Sequence, residues 1–148
     1  MKYMLVALLA SACAFASPAL NASAAGAPTV VMADQAKYAP APKPYPGEAM
    51  MAVLSGDPSK AGSQYTVRLK LPDGTKILPH THGDTENVTV ISGTLLVGVG
   101  SSFDAKKMLA LKAGSYASIP AGTAHYAMAK GETVVQVNGV GPASITLI

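Results

Sequence analysis

The chain has 148 residues, the length of one domain able to bury its own core. Its net charge of +3 rests on lysines and arginines spread along the sequence without a cluster that would track a phosphate backbone, which excludes nucleic-acid binding. Charged residues make up only 13 %, against 14 glycines and 11 prolines, a balance that favours turns and strands over helices.

The chain opens with Lys2, then an apolar run over residues 4–16, a break at Pro18 and the small residues Ala22-Ser23-Ala24. This pattern predicts an export signal over 1–24 cleaved after Ala24, with Ala14-Phe15-Ala16 as the alternative site. The apolar run is shorter than the about 20 residues a membrane-spanning helix needs. Cys13, the single cysteine, lies inside this segment, where it is a plain signal residue or, on a weaker reading, a lipidated one. Cleavage leaves no thiol for a disulfide, a ligand or a nucleophile, which suits a periplasmic or secreted protein. Residues 25–47 read as an extended arm rich in alanine and proline. Pro40, Pro42, Pro44 and Pro46 alternate there, which excludes helix and regular sheet pairing, while Val30-Val31-Met32 offers an edge strand.

From residue 48 to 148 strand-like runs recur between turn signals. Residues 49–54 form one run, and 65–71 follow with Tyr65, Val67, Leu69 and Leu71 on one face. Pro72-Asp73-Gly74 makes a tight turn. Runs over 75–82, 87–92 and 94–100 come next, the last two joined in hairpin fashion at Ser92-Gly93. A single helical turn fits within 101–107, and further strands fit 107–111, 116–119, 124–128 and 133–139. Many short strands at regular spacing predict an all-β fold, a double-sheet antiparallel jelly-roll barrel with few or no helices beyond the signal segment.

All three histidines sit in two short stretches, GTKILPHTHGDTENVTVISG and GSYASIPAGTAH. His80 and His82, two apart on a strand, point to one face, and Glu86 returns on the next strand after a Gly-Asp turn. With His125 these are three imidazoles and a carboxylate, a set that ligates one divalent transition metal (Fe, Mn, Zn, Ni or Cu) at roughly 2.0–2.2 Å. Asp84 reads as a turn residue and not a ligand.

The spacing Gly74, His80-x-His82, Glu86, Gly93 resembles the first motif of the cupin superfamily. Gly114, Pro120-x-Gly122, His125 resembles the second. Together they cover about 50 residues in the family's order. The second motif of the family often ends in Asn four residues after the histidine, where this chain has Ala129; that Asn is not usually a ligand. The resemblance implies a small single-domain cupin and activities such as dioxygenation, decarboxylation and sugar isomerisation. It also implies a homodimer, which such an arm often mediates in proteins of this family.

Strand parity places Leu78 beside His80 and His82, Val88 and Val90 beside Glu86, and Ala127 and Ala129 beside His125. Tyr65, Gln136 and Lys76 are the polar groups within reach. Small residues next to His125 predict open volume at the metal. With no Asp, Glu or Arg facing inward besides Glu86, the expected ligand is neutral or weakly polar. Two functions fit: a small metalloenzyme, with a dioxygenase-type oxidoreductase favoured, and a non-catalytic module that binds metal or a small ligand.

Overall fold

The computed structural model describes residues 26–148, so the predicted export segment lies outside the described residues. Among the described residues nine strands run in chain order as β1 (Ala39–Pro40), β2 (Met50–Ser55), β3 (Gln64–Leu71), β4 (Lys76–Thr81), β5 (Glu86–Val99), β6 (Leu109–Lys112), β7 (Tyr116–Ile119), β8 (His125–Val140) and β9 (Thr146–Leu147). All pairings are antiparallel. The described residues hold two single-turn 3₁₀ helices, Ala33–Gln35 and Ala105–Lys107, the second capped by the Asp104 carboxylate on the Lys106 N–H at 3.0 Å. No helix among them is long and apolar enough to cross a membrane.

Two strands build the jelly roll by belonging to both of its layers. The first half of β5 lies between β7 and the second half of β8, and β3, β2 and β1 continue that layer. The second half of β5 lies between β6 and the first half of β8, and β4 and β9 complete the other layer. The predicted hairpin at Ser92-Gly93 is therefore a corner within one strand, and the predicted strands 124–128 and 133–139 are one strand, β8. The physical reason is a bulge: the β5–β8 register shifts between Val90 and Thr94, with Gly93 at φ +76°. A Cβ on Gly93 would meet the Glu132 carbonyl and lie 2.7 Å from the Thr133 hydroxyl. Thr133 is fully buried, and its hydroxyl accepts from the Thr94 N–H at 3.2 Å and donates to the Thr94 carbonyl at 3.0 Å. One side chain thus replaces the ladder bonds that the bulge removes.

The core lies between the layers. Alternate residues of β3 (Val67, Leu69, Leu71), β5 (Val88, Val90, Leu95) and β8 (Ala127, Ala129, Val135, Val137) fill it. Outside this core, Tyr126 packs face to face with Gly98, where any Cβ would collide with the phenol ring, and donates its hydroxyl to the Asp104 carbonyl at 3.2 Å.

The arm differs from expectation in two respects. Val30, Val31 and Met32 stay exposed outside any strand. The edge strand is instead Ala39–Pro40 on β2, a place that tolerates proline because one side of the strand needs no hydrogen bonds. The following loop, anchored where Ala41 N–H donates to the Ala49 carbonyl at 2.8 Å, carries Ala41 and Tyr45 against the core.

Candidate metal centre

Four side chains converge at one end of the barrel. His80 comes from the end of β4, His82 from the loop after it, Glu86 from the first position of β5 and His125 from the first position of β8. The His80 and His125 backbones face each other across the β4–β8 ladder. Between Ile77 and His80, β4 spends three residues where β8 spends two. Pro79, which has no N–H to give the ladder, sits in that bulge. The extra residue flips the parity, so Ile77 and His80 both face inward. Leu78, predicted beside His80, points to solvent at 53 % exposure. The loop that carries His125 is docked against the first motif, Gly122 donating its N–H to the His82 carbonyl at 2.9 Å.

Backbone carbonyls fix the tautomer of each ring. His80 Nδ1 lies 2.6 Å from the Leu78 carbonyl, His82 Nδ1 2.8 Å from that of Ser144, and His125 Nδ1 2.9 Å from that of Thr123. A carbonyl only accepts, so each Nδ1 carries the hydrogen and each neutral ring turns an Nε2 lone pair toward the others. His80 Nε2 and His82 Nε2 are 3.2 Å apart, and Glu86 Oε2 is 3.4 Å from His82 Nε2 and 3.3 Å from His125 Nε2. Lone pairs that face one another at this range repel unless a cation or protons lie between them. Donors each about 2.1 Å from one ion stand roughly 3.0–3.4 Å apart. The three histidines, whose donor atoms lie within 4.8 Å of one another, could hold a metal ion, and Glu86 stands where a fourth donor would.

The electrostatics match such a set. Burial lowers the His80 pKa from its ordinary 6.5 to about 4, against the opposing pull of the Leu78 carbonyl, and so keeps the ring neutral and ready to ligate. Burial alone would raise the Glu86 pKa, but the adjoining His125 and His82 outweigh it and hold the carboxylate at about 2. Burial would lower the His82 pKa, and its contact with Glu86 outweighs that, so the net direction is up. A carbonyl on every Nδ1 is the usual outer support of a metal-bound imidazole.

Two cavities meet at these residues. The inner one, inside the barrel, has a volume near 30 Å³, room for about one water molecule. It differs from the predicted open volume because Leu69, Leu71, Ile77 and Leu95 close in from the facing strands. Val88 and Ala127 line it, whereas Val90 and Ala129 lie beyond it in the packed core. The outer cavity, about 260 Å³, opens between the proline loop, Pro58-Ser59 and residues 143–145, with His82, Glu86 and Tyr65 in its wall. Gln136 lines neither: it continues the parity of β8 onto the outer face, where its side-chain Oε1 accepts from the Arg68 guanidinium at 3.0 Å. Lys76 also points away, its ammonium lying 5.4 Å from the centre of the Phe103 ring. Tyr45 of the arm was not foreseen as a site residue, yet it lines both cavities. Nothing in the local pattern around a lone tyrosine among prolines signals that role.

The family model described as "Cupin domain" matches residues 67–140, which spans both histidine motifs and half of the chain. The chain belongs to the cupin family. Solved structures agree on the fold. The polyketide cyclase RemF from Streptomyces resistomycificus is 16 % identical at a TM-score of 0.66, covering 80 % of this cupin and 84 % of that chain. An acetylacetone dioxygenase from Acinetobacter johnsonii is 19 % identical at 0.62, covering 80 % and 77 %. An RmlC-like cupin from Shewanella frigidimarina is 15 % identical at 0.58, covering 77 % and 91 %. A comparison with curated protein sequences finds no match.

Proposed function

We propose that this cupin is an exported metalloenzyme, periplasmic or secreted, that acts on a neutral or weakly polar small molecule, with dioxygenase-type oxidation as the reaction class. The observation that carries the reading is the set of three Nε2 lone pairs, each fixed by a carbonyl at Nδ1, meeting beside Glu86 at the floor of the outer cavity. His80, His82, His125 and Glu86 would hold the ion, and a redox-active one would supply oxygen chemistry and Lewis acidity when bound. The chain's own part is to hold and shield. Leu69, Leu71, Ile77 and Leu95 keep bulk water off the barrel side of the cluster and leave approach to the outer cavity. Tyr65 presents a phenol there that stays protonated, its pKa pushed to about 12 by burial and by Asp84 and Glu86. A non-catalytic ligand-binding cupin is the second reading, favoured because the lining of the outer cavity adds only two tyrosines and the exposed Lys43 to the cluster as titratable groups.

Elemental analysis of the untagged mature protein beside His82→Ala tests the metal. About one equivalent of metal in the wild type and a loss of roughly tenfold or more in the variant is the expected result; equal contents in both would sink the site assignment. Dioxygen uptake with acetylacetone, a small neutral diketone, then tests catalysis. Uptake that His82→Ala abolishes supports the oxidoreductase, and no uptake by a metal-replete protein across neutral small substrates favours the binding module.

A further inference from the structure

The outer cavity is a built site with a character of its own. Its walls are mostly apolar: Pro42, Pro44, Met51, Val67 and Ile145 contribute carbon surface. Beside the cluster and Lys43, its polar side-chain groups are neutral hydroxyls, those of Tyr45, Ser59, Tyr65 and Ser144. Ser144 is already engaged, its carbonyl by His82 and its hydroxyl by the Gly83 N–H at 3.0 Å. The carboxylate at the floor, Glu86, is matched by His82 and His125. The one further charge in the lining, Lys43, is exposed on the loop and free to turn its ammonium to water. A volume near 260 Å³, about nine waters' worth, is too small for a drug-sized molecule and fits a compact one.

Among the described residues Tyr45 is the only side chain outside the barrel strands that lines both this cavity and the inner one; Glu86 and Val137, on β5 and β8, are the others shared. Its loop is tied down at both ends, by Ala41 on Ala49 and by Ala49 N–H on the Pro46 carbonyl at 3.2 Å, with the Tyr45 N–H on the Pro42 carbonyl at 3.1 Å between them. Prolines on either side restrict the backbone, so the ring is held in place at low entropic cost.

We propose that the outer cavity binds a compact, uncharged, largely apolar molecule with one or two oxygen groups, and that Tyr45 is the partition that decides how far such a molecule reaches past Glu86 into the barrel. This rests on the reading of the cluster as the reactive centre, and it names the ligand class of that centre and the residue that sets its size. The partition is steric: the ring, rather than its hydroxyl, separates the two spaces.

The only cysteine of the chain is Cys13, so in a Cys13→Ser background one introduced thiol reports one place. Ile145→Cys puts a thiol in the outer cavity and Ala117→Cys puts one in the lining of the inner cavity alone. Labelling by methyl methanethiosulfonate is followed with benzyl alcohol, benzoate or benzylammonium present, three probes of one shape and three charges. Benzyl alcohol is expected to slow labelling of Ile145→Cys by roughly tenfold near saturation while the two ions change it little. Equal protection by all three, or none, overturns the ligand class. Combined with Tyr45→Ala, the Ala117→Cys thiol is expected to react roughly tenfold faster, with Tyr45→Phe at the wild-type rate. Equal rates with Tyr45 and Tyr45→Ala overturn the partition, as does a gain in Tyr45→Phe. Tyr45→Leu, which keeps the loop packed, replaces Tyr45→Ala if the latter lowers the melting temperature. The thiol rates are read on chelator-treated protein, and metal content measured separately on the wild type decides the cluster.

Discussion

His80 refuses a proton that the unfolded chain accepts, because burial holds its pKa at about 4 against the ordinary 6.5. The unfolded state therefore binds more protons between those values, and stability falls as pH is lowered through that window. Glu86 adds to the loss at lower pH: its folded pKa of about 2 lies below the ordinary 4.5, so its contribution is present above 4.5 and lost toward 2. His82, raised, works the other way only above its ordinary value and is constant on the acid side. The urea midpoint of the chelator-treated protein is thus expected to drop between pH 6.5 and about 4.5, and His80→Asn to flatten that segment. The same slope in both proteins would contradict it. At this scale the sequence spoke clearly about which side chains meet, since the three histidines and Glu86 fall at family spacing. It was silent on their neighbours: Leu78 was placed inward by counting in twos, and the count fails at Pro79, whose missing N–H was the visible warning of a bulge.

The corner shared by β5 and β8 depends on a single hydroxyl. Thr133→Val keeps the volume of the side chain but leaves the N–H and carbonyl of Thr94 unpaired beside a bulge that already lacks ladder bonds. The cost expected is about 1–3 kcal/mol in a urea titration, and a change below about 0.3 kcal/mol would show that water takes over the role. Turn residues at 92–93 and 130–131 looked like ends of strands because glycine marks both turns and bulges. The difference lies in what pairs across the corner, a long-range fact that no local window contains. The same reason hid Gln136: in a separate strand its facing is free, whereas in one continuous β8 it is fixed by His125, eleven residues earlier.

Across the whole molecule, the cluster joins the two layers, with Glu86 on the half of β5 that faces β7 and His80 on β4 in the other layer. An ion held there would bind the folded chain and not the unfolded one, so its free energy adds to stability. Zinc at about 100-fold above its dissociation constant is expected to stabilise the fold by about 2.7 kcal/mol, seen as a higher melting temperature than in chelator; no shift for the wild type, or the same shift for His82→Ala, would contradict this. The jelly roll was legible from the rhythm of turns, and the barrel's nearly filled interior was not, because Leu69, Leu71 and Leu95 approach from strands distant in sequence.

The central place of β8 bears on how the chain comes together during synthesis. Residues 125–140 supply the partners of β3, β4 and half of β5. Before they emerge from the ribosome, β1–β2–β3 and β5–β6–β7 can pair within themselves, while β4, with two of the three histidines at its end, has no neighbour. A nascent chain up to residue 124 is two unjoined ribbons with open, apolar edges, a form prone to mispairing. Closure of the barrel therefore waits on β8, the strand that joins the two ribbons.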